Sequence, residues 1–230
     1  LALYMEADRL GNLLEAMTQT KLDNQRDVVK NERRQRVDNQ PYGTAFEKIG
    51  EIMYPKGHPY NWTTIGSLED LQAASMEDVK SFFRQYYVPN NMAICISGDI
   101  KKDEAIKIID ENFSAWKPKK LAKKESWKEK PLEGIERVTV KYPGEEYVLL
   151  AFRTASQEHK DADALRLLDM SLSNAAAGLI DLNLVQTQKV RGAGAFPYLQ
   201  NDYGAQLLFG IPKDGQTLEE VEKLLLEQLE

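Results

Sequence analysis

The chain has 230 residues, a net charge of −6, 42% hydrophobic and 29% charged residues, proportions that suit one large or two small globular domains with cores of their own. Its acidic balance argues against general nucleic-acid binding, no apolar run approaches membrane-spanning length, and a single cysteine, Cys95, rules out an internal disulfide. The spacing of apolar residues predicts an amphipathic helix from Leu1 to about Gln19, built on Leu3, Ala7, Leu10 and Leu14. A second, densely polar helix runs from Leu22 to about Asn39, where Pro41 and Gly43 turn the chain. A third helix covers Ala45–Met53 and stops before Pro55. Ser67 with Asp70, and Ser75 with Asp78, have the spacing of helix N-caps. The helix after Ser75 carries Val79, Phe82, Phe83 and Tyr86 on one side, a stripe expected in a core. Met92–Ser97 reads as a buried strand, with Cys95 as inert packing inside it, and Lys102 to about Phe113 reads as a helix.

Residues 117–134 differ in kind. Lysines crowd the stretch, glutamates interleave with them, and Pro118 and Pro131 bracket it. In an acidic chain this composition fits a solvated interdomain linker better than a nucleic-acid or lipid patch. Beyond it, Val138–Tyr142 and Tyr147–Phe152 read as strands joined at Pro143-Gly144. Asp161 to about Asn174 reads as a helix, a further helix carries Leu179, Leu182 and Leu184, and a strand Ala205–Ile211 precedes a last helix opened by Thr217 and Glu220. Arg191-Gly-Ala-Gly-Ala195 contains G-x-G, but Phe-Pro follows it rather than a helix start, so a loop or strand edge is expected there instead of a phosphate cradle. The charged linker 117–134 divides the chain into two successive domains, 1–116 and 135–230, each read as holding both helices and strands.

Within the polar helix, Leu22, Gln25, Val29, Glu32 and Arg36 share one face. The face starts apolar and then presents a carboxylate. Charge density alone marks such a helix as a solvated surface. If the carboxylate turns inward, an arginine, backbone amides or a metal ion must compensate it. His58 lacks a second histidine or acid at helical spacing, and a hydrogen-bonded structural role is expected for it.

The blocks Val28-Val-Lys-Asn-Glu-Arg-Arg-Gln35, Asp38-Asn-Gln-Pro-Tyr-Gly43, Gly57-His-Pro-Tyr60 and Thr64-Ile-Gly-Ser67, in this order and spacing, resemble the pitrilysin/insulinase family of zinc peptidases. The resemblance extends over essentially the whole chain. It implies similar α+β domains with helices on one face of a mainly antiparallel sheet. It also implies that Glu32 is the third zinc ligand, with two histidine ligands and the glutamate base supplied by an H-x-x-E-H motif. This chain has no such motif; its only histidines are His58 and His159. The expectation is therefore that the motif lies ahead of Leu1. The chain opens and closes within helices, as an internal segment of a longer peptidase would, with both domains incomplete. Alone it is expected to be catalytically inactive, with Zn2+ absent or weakly bound. Gln25 stands where family members often carry an acid that supports the zinc site, so Gln25 and Arg33 are candidates for that supporting role. The implied partners are an extended peptide substrate and the remaining half of the protein or a partner subunit, with self-association through exposed apolar surface. The resemblance favours a periplasmic or other extracytoplasmic setting. A non-catalytic partner subunit of the same fold is the competing reading, and an unrelated α+β binding module is a third.

Overall fold

A computed structural model describes residues 1–128 and 131–230, so Glu129 and Lys130 of the charged stretch lie outside the described residues. The chain divides into two compact units, residues 1–50 with 54–137, and residues 51–53 with 138–230.

The first unit is helical among its described residues. Helix α1 (Ala2–Ala16) packs against α6 (Lys102–Phe113), with Leu10 buried. Helix α2 (Gln19–Arg33) begins at Thr18, whose hydroxyl accepts from the Lys21 amide, and packs against α4 (Leu68–Ala73). Helix α3 (Ala45–Met53), of which Glu51–Met53 belong to the second unit, ends at Tyr54, which is extended because it precedes Pro55. Helix α5 (Met76–Tyr86) opens with a complete capping box between Ser75 and Asp78. Only Phe83 of its expected core stripe is buried; Phe82 and Tyr86 are exposed and lie against each other with ring centroids 4.7 Å apart. A second difference concerns Met92–Ser97. Among the described residues this segment pairs with no strand, and Met92, Ile94 and Cys95 are exposed. A strand needs a neighbour to take its amides and carbonyls, and strand-like composition cannot provide one. Among the described residues Val138–Tyr142 likewise has no ladder.

The second unit holds an antiparallel sheet in the order β1-β3-β2, formed by β1 (Val148–Thr154), β2 (Gly192–Leu199) and β3 (Gly204–Ile211). Alternation places Val148 and Leu150 of β1, Ala193 and Ala195 of β2, and Leu208 and Gly210 of β3 on one face. Leu172 at the end of α7 (Ala162–Leu172), Ile180 and Leu184 around a π-turn at Asp181–Val185, and Val221 and Leu225 of α8 (Leu218–Leu226) close over that face. Gly210 makes this closure possible: a Cβ there would stand 2.4 Å from Val221 Cγ1, so only glycine lets α8 lie this close to the central strand. Buried Asp181 accepts from the Asn174 and Gly178 amides and the Ser173 hydroxyl, which holds the turn between α7 and the π-turn. Strand β2 covers most of the glycine-rich stretch expected to be a loop or strand edge. It is an edge strand, which is where Pro197 is tolerated in a ladder. The architecture is α+β with a three-stranded antiparallel sheet.

Candidate metal-ligand helix

Helix α2 is held to its surroundings by cations. The Arg26 guanidinium donates to the carbonyls of Leu71 (2.9 Å) and Ala74 (2.6 Å) and to Asp23 Oδ1 (2.6 Å). Lys30 Nζ donates to Gln72 Oε1 at 2.8 Å. Two turns after Arg26, Arg33 forks onto Glu47, with Nη1 to Oε1 at 2.6 Å and Nη2 to Oε2 at 3.1 Å, while Nη1 also donates to the Gly66 carbonyl at 2.6 Å. Its Nε lies 3.5 Å from Asp38 Oδ1. The side chains of Arg33 and Glu47 are only 11% and 16% exposed. Hydrogen bonding to Arg33 holds the Glu47 carboxyl below the usual carboxylate range despite its partial burial, and the same bond raises the Arg33 guanidinium. Thr63 Oγ1 donates to Glu47 Oε1 at 3.2 Å and fixes the acid from the other side.

Glu32 sits on the neighbouring stripe. Residues on an α-helix are spaced by about 100°, so the Arg26–Arg33 stripe faces α3 and α4 while Gln25, Glu32 and Arg36 lie a quarter-turn round. The Glu32 side chain is 41% exposed, and its partner is Arg36, with Oε1 3.1 Å from Nη1; Arg36 itself is 77% exposed. Gln25 is exposed, and Leu22 and Val29 are half-buried. The face read from spacing is thus a margin between body and solvent, and Arg33 turns its guanidinium toward Glu47. Immediately after Arg33 the helix widens into a π-turn, Arg34–Asp38. The turn that follows is tight: a Cβ on Gly43 would meet the Val37 carbonyl oxygen at 2.0 Å, so Gly43 is a steric requirement of the Asp38–Gly43 block.

His58 is fully buried. Its Nδ1 accepts from the Tyr60 amide at 3.0 Å, and its ring stacks on Tyr54 (5.3 Å) and meets Tyr60 (4.7 Å) and Trp127 (5.6 Å) edge-on. It closes a turn beneath an aromatic cluster, the structural role its isolation in sequence suggests. The exposed His159 accepts the Asp161 amide at 3.2 Å. Within the charged stretch, Asn90 brackets the Lys119 backbone (2.8 and 3.1 Å), and Trp127 packs on His58.

Among the described residues no three His, Cys, Asp or Glu side chains come together as metal ligands. A peptidase zinc takes three protein ligands, and the carboxylate of Glu32 could be at most one of them.

Comparison with known proteins places the chain. The profile of the peptidase M16 inactive domain matches residues 73–230. Zinc protease PqqE of Helicobacter pylori is 29% identical over 170 residues, covering 72% of this chain and 38% of PqqE, so the chain spans well under half of that relative. A crystal structure of a protease from Helicobacter pylori superposes with a TM-score of 0.82 at 24% identity, over 99% of this chain and 55% of that one. The periplasmic protease PqqL from Escherichia coli superposes with a TM-score of 0.66 at 16% identity, over 99% of this chain and 26% of PqqL.

Proposed function

Since the chain belongs to the peptidase M16 family, that of pitrilysin and insulinase, we propose that it is part of a zinc-dependent endopeptidase acting on extended peptides, and that Glu32 is one of the three metal ligands. In this reading residues 1–116 are the closing part of the catalytic domain, 117–134 connect, and 135–230 begin a second, homologous domain. The two imidazole ligands and the general base come from outside this chain, in an H-x-x-E-H segment ahead of Leu1.

One observation carries the assignment: Glu32 is held loosely, whereas Glu47, which receives the neighbouring Arg33, is held firmly. Glu47 is locked by a shielded fork to Arg33, and Asp38 lies beside the same guanidinium. Among the described residues Glu32 is paired with an exposed arginine one turn on, an arrangement worth roughly 0.3–0.5 kcal/mol. Such a pair is given up readily when a divalent cation arrives. Drawing Glu47 away would strand the mostly buried Arg33, at a cost of about 3–5 kcal/mol. When bound, zinc supplies an acidified water and a polarised carbonyl. The part of this chain is to hold the Glu32 carboxylate on a helix whose other side is fixed to α3 and α4.

The remaining half of the protein, or a partner subunit, would complete the enclosure for the peptide. The periplasmic setting of the Escherichia coli relative supports an extracytoplasmic location, and among the described residues no helix is long and apolar enough to cross a membrane. Exposed Phe82, Tyr86 and Ile94 in the first unit, and Leu167 and Met170 in the second, provide apolar surface for association.

The test is Glu32→Gln in the whole protein, with zinc content measured after dialysis against metal-free buffer and cleavage followed on an unstructured peptide. Loss of both, with unchanged circular dichroism, is the expected result; stoichiometric zinc in the variant would overturn the ligand assignment. The 230-residue chain alone should retain no zinc and cleave nothing. A second reading, a non-catalytic partner subunit, is favoured by the matched profile, which describes an inactive domain and begins at residue 73, past Glu32. Absence of both zinc and H-x-x-E-H in the whole protein would establish that reading instead.

A further inference from the structure

We infer that Glu47 is a positioning residue for Glu32, acting through Arg33; this rests on the ligand reading of Glu32 given above. Arg33 is the last residue of regular α-helix before the π-turn Arg34–Asp38 and is joined directly to Glu32. The half-exposed pair with Arg36 is too weak to hold Glu32 in place. What stops the last turn of α2 from rotating or unwinding is the side chain one step round. The bidentate Arg33–Glu47 bond, with the third contact to the Gly66 carbonyl, ties that turn to α3 and to the loop before α4. Thr63 in turn holds Glu47.

Magnitudes explain why this matters for a metal ligand. A helix with its side chains has a radius of about 5–6 Å. A rotation of about 20° therefore carries a carboxylate at that radius by roughly 2 Å, whereas a metal bond tolerates a departure of about 0.2 Å. The Arg26 bonds to the Leu71 and Ala74 carbonyls resist rotation two turns earlier, about 10 Å along the axis from Arg33, where the helix widens into the π-turn. The path runs from α3 through Glu47 and Arg33 into the Glu32 backbone. A fork is required, because a single-point cation such as lysine fixes distance without fixing orientation.

The experiment uses the whole protein and measures zinc dissociation constants with a competing chelator, together with kcat and KM. Glu47→Gln is expected to weaken zinc about 10–100-fold, and Arg33→Lys to fail to preserve the wild-type constant. The swap Arg33→Glu with Glu47→Arg should recover part of the loss. Leu10→Ala, at a buried position of α1, is the control for stability alone: it should lower Tm and leave the zinc constant unchanged. Should Glu47→Gln fold poorly, Thr63→Val removes only the hydroxyl bond to Glu47 and should weaken zinc by a few-fold. Zinc binding untouched by these changes, or weakened equally by Leu10→Ala, would overturn the positioning role. Glu32→Gln in the same series separates the two readings. If it keeps its zinc, the ligand assignment fails and the positioning role with it. If it loses zinc while the Glu47, Arg33 and Thr63 variants keep theirs, only the positioning role fails.

Discussion

The two units reach order by different means. In the second, Leu172, Ile180, Leu184, Leu208, Val221 and Leu225 form one buried apolar cluster between a sheet face and its covering helices. In the first, buried apolar side chains are scattered among Leu10, Tyr54, Phe83 and Val88, and helices are held by directed polar contacts from Arg26, Arg33 and Asn61 to backbone carbonyls and carboxylates. Hydrophobic burial is non-directional and tolerates small shifts of whole elements, whereas hydrogen-bonded charges specify orientation and fail abruptly when one partner is lost. The unit proposed to hold a metal ligand is the one built on orientation.

This contrast can be broken experimentally, and the molecule provides a convenient probe: its three tryptophans, Trp62, Trp116 and Trp127, all lie in the first unit. Tryptophan fluorescence therefore reports that unit, and hydrogen exchange on β1–β3 amides reports the other. The largest effect is expected from Leu225→Ala, which empties a fully buried site at a cost of about 2–5 kcal/mol. It should deprotect the sheet amides and leave the fluorescence midpoint in urea nearly unchanged. Next comes Arg33→Met, expected to cost roughly 3 kcal/mol, the low end for stranding one partner of a buried pair, because Glu47 is left partly buried without its cation. That loss should appear in tryptophan fluorescence and spare the sheet. Adding Glu47→Leu should restore much of it, since replacing both members of such a pair with apolar groups is often close to neutral.

Acidification sharpens the same contrast. The Glu47 carboxyl titrates below its ordinary range when folded, so its pair with Arg33 contributes fully above the unfolded carboxylate value of about 4.3. The contribution is lost as pH falls through the lower folded value. The fluorescence midpoint should fall on going from pH 6 into that acid window, and Glu47→Gln should flatten the dependence. The smallest effects should be alike in the two units. Ser75→Ala and Thr217→Ala each remove one capping box and should cost about 1 kcal/mol, read respectively by fluorescence and by exchange at the start of α8.

Local chemistry was the legible part. Ser75 with Asp78 and Thr217 with Glu220 announce helix starts through bonds that span three residues, and α3 and α6 have the bounds that their apolar spacing predicts. Strands β1 and β3 were visible as apolar runs, because β3 is the central strand and is buried along most of its length. Strand β2 was not, since two glycines and Pro197 depress strand propensity and only pairing with β3 overrides it. Met92–Ser97 shows the converse, a run with strand-like composition and no neighbour among the described residues. The α5 stripe misled in a related way: periodicity says which residues share a face, and cannot say how much of that face is covered.

The candidate site divides along the same line. That α2 is a helix, that Gln25, Glu32 and Arg36 share a stripe, and that Glu32 resembles a metal ligand all follow from residue order, because helical spacing and family blocks are properties of the chain itself. That the arginine stripe a quarter-turn away bears the packing, and that Glu47, fourteen residues beyond Arg33, receives its guanidinium, was decided only by the fold. Contacts across such separations depend on where α3 and its following loop come to rest, and no local rule of spacing encodes that.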